Sequence, residues 1–200
     1  MSIKKRTLLF LTGIIILTLG VALTLKAGLG AGSWDSVNVG LSKIFGLSVG
    51  SFAFIVGVIM TILAGILRRG KFKPQTLITA FVLSAFTDFW LNIINSMTLK
   101  DSIFNQSMCL LAGIIILAFG LALYLIPNLA PNSFDDCMMA FRERFDLSVG
   151  KAKVIVDSIG IMIALIVSGP IGIGTIVITF SVGPLVNVIY NRLNKLVYIS

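Results

Sequence analysis

Apolar residues run in long blocks along this chain, and the polar residues that interrupt them recur at a fixed distance. Six blocks reach the length of about 20 mainly apolar residues that a bilayer-spanning helix needs: roughly 7–26, 48–67, 75–95, 106–126, 149–168 and 172–190. After the first and fourth blocks the pattern changes to a helical period. Val37, Leu41, Ile44 and Phe45 form one apolar stripe, and Phe134, Met138, Phe141 and Phe145 form another, each extending over about three turns. Two short amphipathic helices are predicted, each lying at a membrane surface or dipping into the protein. Ser33 reads as the N-cap of the first, with Asp35 in the first turn where the helix dipole favours negative charge. On the second, Arg142, Glu143 and Arg144 are expected to face lipid headgroups or water.

The two halves of this pattern are one pattern used twice. Residues 13–50 begin GIIILTLGVALTL and end LSVG; residues 113–150 begin GIIILAFGLALYL and end LSVG, with no gap between the registers. Apolar helices resemble one another by composition, so the polar positions decide. Ser33-Trp34-Asp35 stands opposite Ser133-Phe134-Asp135, and Phe45 opposite Phe145. The chain is an internal duplication, with residues 1–100 and 101–200 as two three-helix repeats inside one membrane domain. Three spans per copy is an odd number, so the second copy enters the membrane from the opposite side. The expected fold is an all-α polytopic membrane protein: six transmembrane helices in two inverted-topology repeats, each with a short amphipathic helix after its first span. Secondary transporters recur to this plan, with the site near the midplane at the repeat interface. The first block, following Lys4, Lys5 and Arg6, imitates a secretory signal; its twin at 113–125 makes it part of the fold.

Composition excludes the alternative of a soluble domain. The chain is 57% hydrophobic and 12% charged, with mean hydropathy +1.04, far from soluble averages. With the N-terminus cytoplasmic, the inner side holds Lys4, Lys5, Arg6, Arg68, Arg69, Lys71, Lys73, Arg142, Arg144, Lys151, Lys153, Arg192 and Lys195, leaving Lys26, Lys43 and Lys100 outside. The positive-inside rule therefore predicts both termini in the cytoplasm. The net charge of +8 follows from this asymmetry and from anionic lipid at the inner leaflet, and it does not indicate nucleic acid. Histidine is absent, which removes the usual proton shuttle and zinc ligand. Cys109 and Cys137 fall on opposite sides, so no disulfide, metal or cofactor pattern exists.

Candidate chemistry lies in two polar stripes. Every fourth residue of the third span reads Thr76, Ala80, Ser84, Asp88, Asn92; in the sixth span the row is Thr175, Thr179, Gly183, Asn187, Asn191. Residues four apart share a helix face, so the two rows are expected to line a hydrophilic path, with Asp88 as its coupling or selectivity group. A structural hydrogen bond is the competing account of Asp88. Gly183-Pro184 predicts a kink or break. The second span carries small residues, Gly50, Ala53, Gly57, Thr61 and Ala64, and the fifth answers with Gly150, Asp157, Ile161 and Ala164. Asp157 thus replaces a glycine on the packed face, as a pathway group or a polar clamp. Asp35 and Asp135 read as helix caps or as cation sites, and Trp34 and Phe134 as interfacial anchors or ligand-stacking platforms. An enzyme is not expected: Glu143 is the one glutamate, and the remaining route, an Asp88/Asp157 dyad, has none of the surrounding motifs of intramembrane aspartyl hydrolases.

The repeated G-x-A-L, the Trp34-Asp35 element, the LSVG opening the second and fifth spans and the GIGT at 172–175 resemble the bacterial YczE/YyaS/YitT-type integral membrane proteins, with the pattern nearest YczE. The resemblance implies a six-helix protein of the cytoplasmic membrane and brings no activity, substrate or cofactor. Its matching positions are Trp34, Asp35, Asp135, Gly172, Gly174, Thr175 and Asp88. The first repeat departs from it, with KFKPQT where a glycine-rich turn is expected and Ser33 in place of proline. The GIGT turn presents amides to an anion or simply makes a tight outer turn. The expected function is a small secondary transporter or carrier of a small solute or ion. Two alternatives stand beside it: a substrate-binding membrane subunit of an energy-coupling-factor importer, with an ATPase partner, and a non-transporting protein that assists another complex. The lipid bilayer is the partner common to all three, and a homodimer or a membrane-protein partner is compatible with each.

Overall fold

The computed structural model describes residues 2–98 and 102–199, with side chains as far as residue 195. Lys100 and the junction between the repeats lie outside the described residues. The described chain is helical: α1 (Ile3–Lys26), α2 (Ser33–Phe45), α3 (Val49–Leu67), α4 (Gln75–Asn95), α5 (Ile103–Leu125), α6 (Ser133–Phe145), α7 (Val149–Ile166) and α8 (Ile173–Ile199). Five of these, α1, α3, α4, α5 and α8, are long and apolar enough to cross a membrane. The remaining expected span, α7, has 18 residues and carries Lys151, Lys153 and Asp157 in its first half. Large apolar side chains such as Ile59, Ile66, Ile115 and Phe180 stand exposed, as on surfaces that meet lipid. The architecture is that of a polytopic membrane protein.

Local geometry repeats along with the sequence. The short helices begin and end at counterpart residues, 33–45 and 133–145. Ser48 and Ser148 cap α3 and α7, each hydroxyl accepting from the amide three residues on, at 3.0 Å from Ser51 and 3.3 Å from Lys151. Left-handed backbone recurs too: Gly28 with Asn128, Gly46 with Asp146, and Arg69 with Ser168, the last pair 99 positions apart because α7 ends one residue earlier than α3. Three of these six are neither glycine nor asparagine, so the chain accepts an unfavourable φ to end its helices at repeated points.

Contacts divide the chain into two compact units, each drawing on both halves of the sequence. The first comprises Met1–Gly32, Phe86–Leu129 and Pro170–Ser200. Its centre is the antiparallel packing of α1 on α5. At Gly13, Gly20 and Gly120 a β-carbon would overlap the backbone of Tyr124, Leu117 and Leu17 respectively, and at Gly113 it would lie 2.9 Å from the Thr24 amide. Glycine is required there because the helix backbones touch. These contacts are reciprocal: replacing each residue by its counterpart 100 positions away turns the 13–124 contact into 24–113, and 20–117 into 17–120. α8 packs on α5 in the same unit.

The second unit comprises Ser33–Ala85 and Ala130–Gly169, with α6 along α3 and α2 along α7. Val56, Met60, Ala64, Cys137 and Ala140 form its core, with Trp34 and Phe134 against it. The buried face of α2 is Ser33, Ser36, Val37 and Gly40; that of α6 is Ser133, Asp136, Cys137 and Ala140. The predicted apolar stripes divide between two surroundings: Val37 is buried and Leu41 and Phe134 pack against this core, while Ile44, Phe45 and Phe145 are exposed. In lipid the apolar side faces outward and small or hydroxylated residues pack inward. The packed face of α7 likewise runs through Ala152, Val156, Gly160 and Ala164, while Gly150 is exposed. Nor does α8 break at Gly183-Pro184; it is one helix across Pro184, because proline removes a single rung of the ladder and the rungs on either side remain.

Candidate functional site

Polar residues gather where α2 and α6 begin, inside the second unit. Ser33 is the first residue of α2 rather than its cap, and its hydroxyl donates to Asp157 Oδ1 at 3.3 Å. Lys153 Nζ lies 2.9 Å from Asp157 Oδ2, one turn away. At the counterpart position, the Ser133 hydroxyl is 3.1 Å from Thr61 Oγ1, which is 2.9 Å from Thr76 Oγ1. All three of these hydroxyl residues are buried. Trp34 and Phe134 stack with ring centroids 5.3 Å apart, so two residues 100 positions apart touch each other. Trp34 packs on Gly160, where a β-carbon would sit 3.1 Å from the indole. Its Nε1 and the Oδ1 of Asn38 are buried without a hydrogen-bond partner among the described residues. Burial raises the Asp35 carboxyl to about 6. Asp135 is exposed.

A charged network that the sequence reading missed closes the other end of this cluster. Asp136, 2% exposed, accepts from Arg68 Nη1 at 2.8 Å and from Lys73 Nζ at 2.9 Å, and its carbonyl accepts from Arg68 Nη2 at 3.1 Å. Arg68 Nε completes the network with Glu143 at 2.7 Å. Glu143 therefore does more than face water as expected, while Arg142 and Arg144 are exposed. Burial pushes the Asp136 carboxyl up, and the hydrogen bonds and charges of Arg68 and Lys73 outweigh it, holding the group below its ordinary value. The available signal was the position itself: Asp136 is the charged counterpart of buried Ser36. Burial also lifts the neighbouring Cys137 thiol to about 11, leaving it unreactive at neutral pH.

The two predicted stripes are distributed unequally. On α4, Thr76 and Ser84 are buried in the second unit, while half-buried Asp88 and exposed Asn92 belong to the first. Trp90, beside them, donates from Nε1 to the Ile15 carbonyl at 3.0 Å. On α8, Thr175 is buried and its neighbour along the stripe, Thr179, donates to the Thr175 carbonyl at 2.8 Å. Gly183, Asn187 and Asn191 are exposed. The GIGT turn uses its own amides: Gly174 N–H donates to the Leu29 carbonyl at 2.7 Å and Gly172 N–H to Thr175 Oγ1 at 3.2 Å. Neither is left for an anion. Gly30, Gly172 and Gly174 allow the two strands of backbone to touch, so the glycines serve a tight turn.

An open groove of roughly 860 Å³ lies in the first unit, lined by Leu125, Ile126, Asn128, Gly183, Val186, Asn187, Tyr190 and Asn194. It takes in two residues of the predicted stripe, Gly183 and Asn187. Beside it, the Arg6 guanidinium donates to the carbonyls of Pro127, at 2.7 and 3.1 Å, and of Asn128, at 3.4 Å. Among the described residues no three His, Cys, Asp or Glu side chains converge to hold a metal.

Residues 4–191 match the family described as a family of unknown function, DUF6198. The chain is 34% identical to the uncharacterised protein YyaS of Bacillus subtilis (strain 168) over 176 residues, covering 88% of each chain. It is 28% identical to the uncharacterised membrane protein YczE of the same organism, covering 87% of this chain and 80% of YczE. A Haemophilus influenzae protein is 24% identical across 98% of this chain and 88% of its own length. No solved structure matches. With the family match spanning nearly the whole sequence, and YyaS and YczE both aligned over most of it, this chain belongs to the DUF6198 family.

Proposed function

We propose that this protein is a six-span carrier of the bacterial cytoplasmic membrane, built as two inverted three-helix repeats with both termini in the cytoplasm, which moves a small solute or ion. The observation that carries this reading is the reciprocal α1–α5 seam. Two antiparallel helices whose contacts exchange under the 100-residue shift are what a twofold axis in the membrane plane generates. Trp34 against Phe134 is a contact of the same kind. Membrane proteins of that symmetry include many secondary transporters, with the substrate site near the midplane.

In this reading α7 is the sixth span. Lys151 reaches back to the inner surface along its stem, while Lys153 turns along the helix to neutralise Asp157 at 2.9 Å, which reduces the cost of a carboxylate at depth. Asp88 and Asn92 on α4, with Thr179, Asn187 and Asn191 on α8, carry the solute path, and Asp88 is its coupling group. No step of the reading needs catalytic chemistry. Solid-supported-membrane electrophysiology of proteoliposomes, challenged in turn with sodium, potassium, proton and inorganic-anion gradients, tests it. A current in the wild type that Asp88→Asn removes, with the variant still folded and inserted, is the expected result. An undiminished current in Asp88→Asn removes Asp88 from the mechanism, and the absence of any current across the series counts against ion coupling.

A further inference from the structure

The groove beside α8 has a polarity gradient, and the gradient identifies a class of ligand. Along α8 the lining residues run Gly183, Val186, Asn187, Tyr190, Asn194, from apolar to hydrogen-bonding across 11 residues, about 16 Å of helix. The α5 end contributes Leu125, Ile126 and then Asn128, in the same order of polarity. Nothing lies within 4 Å of a β-carbon built on Gly183, so the apolar end has room. The polar end offers three carboxamides and a phenol, each both donor and acceptor, and no charged side chain lines it. Such a set suits several neutral hydroxyls. A cation flanks it instead: the Arg6 guanidinium is held to the Asn128 carbonyl at 3.4 Å.

From this arrangement we infer that the groove is a binding site for a phospholipid with a hydroxylated, anionic headgroup of the phosphoglycerol type. One acyl chain lies along Leu125, Ile126, Gly183 and Val186. The headgroup hydroxyls bond Asn187, Tyr190 and Asn194, and the phosphate lies toward Arg6. A lipid with a terminal amine in place of the hydroxyls adds a cation beside Arg6 and is disfavoured. This lipid site shares Asn187 with the solute path proposed above but does not rest on that reading, since the path turns on Asp88, which does not line the groove.

Native mass spectrometry of the full chain, released from vesicles of equal phosphatidylglycerol and phosphatidylethanolamine, tests the site. The wild type is expected to retain one phosphatidylglycerol with about tenfold enrichment over phosphatidylethanolamine. Asn187→Leu with Asn194→Leu removes the headgroup contacts and returns the ratio to about one, and Gly183→Leu, which fills the apolar end, lowers total lipid retention. Both variants alter exposed or open positions, and circular dichroism melting is expected to match the wild type. Equal retention of the two lipids by the wild type overturns the proposal, as does enrichment that survives both variants. Release of the retained lipid by free glycerol phosphate, with that compound bound in its place, assigns the groove to a soluble ligand and overturns the lipid assignment.

Discussion

The helix pairs α2–α7 and α6–α3 occupy equivalent positions in the duplicated sequence, and they are held together by different means. Between α2 and α7 the backbones touch: a β-carbon on Gly169 would strike the Ser36 carbonyl, and one on Gly40 would strike Val167. Between α6 and α3 the counterpart of Gly40 is Ala140, the counterpart of Gly169 is Gly70 with nothing near it, and the counterpart of Val167 is Arg68. There the guanidinium spans to Asp136 at 2.8 Å. One pair is closed by glycine and the other by charge. Duplication preserved the helix frame, down to its left-handed residues, while the side chains that join the helices diverged.

The comparison is most sharply tested at Arg68. Arg68→Ala leaves Asp136 buried with Lys73 alone, and removing one partner of a buried pair costs about 3–5 kcal/mol; Val167→Ala, at the counterpart position, is expected to cost only about 1 kcal/mol. Replacing Arg68 by Val together with Asp136 by Ser transplants the residues of the α2–α7 side and should recover most of the loss. Thermal unfolding in detergent measures these three variants against the wild type. Equal effects of Arg68→Ala and Val167→Ala would dissolve the contrast.

Where the repeats are alike, paired mutations should agree. Gly20→Val and Gly120→Val each force a side chain into the facing backbone, with an expected cost of about 1–3 kcal/mol, and the two midpoints should match because the contacts are reciprocal. A smaller contrast lies at the serines. Ser133→Ala disturbs a buried cluster with Thr61 and Thr76, at about 1–3 kcal/mol, while Ser33→Ala loses one 3.3 Å bond to a carboxylate that keeps Lys153, at about 0.5–1.5 kcal/mol. Equal losses would mean that the two ends are not chemically distinct.

Titration separates the two repeats by sign. Asp35 has its carboxyl raised from 3.8 to about 6 by burial, so the folded state holds the proton longer than the unfolded chain. Its stabilisation is complete below pH 3.8 and is lost as pH rises through about 6. Asp136 is lowered, so its stabilisation is present above pH 3.8 and is lost as pH falls through its folded value. Asp35→Asn should flatten the decline of the melting temperature between pH 3.8 and 6, and leave the acid limb unchanged.

Much of the fold was legible because membrane helices announce themselves by length and because the duplication supplies a second reading of every element. The six predicted blocks correspond to α1, α3, α4, α5, α7 and α8, and the two amphipathic segments to α2 and α6. Which face of the two short helices packs was not legible. Periodicity identifies an apolar side without saying whether it meets protein or lipid, and here Val37 is buried with Ser36 and Asp136 while Phe45 and Phe145 are exposed. The α1–α5 seam was visible as Gly13 and Gly20 repeated at Gly113 and Gly120, seven residues apart, although those glycines were read only as marks of duplication. Arg68 with Asp136, and Asn128 with Asn194, join residues 66 or more positions apart. No local pattern encodes such pairings. Of the kink or break expected at Pro184 the break does not occur, since one missing hydrogen bond does not end a 27-residue helix.

Inversion of the repeats is the central claim, and the counterpart residues Gly46 and Asp146 test it directly. Both are exposed, left-handed and placed just after a short helix. In a background carrying Cys109→Ala and Cys137→Ala, a single cysteine introduced by Gly46→Cys or Asp146→Cys is reacted with a membrane-impermeant maleimide, first on intact cells and then on permeabilised ones. The account predicts that the cysteine at 46 reacts from outside and the cysteine at 146 only after permeabilisation. Reaction of both from the same side would contradict it.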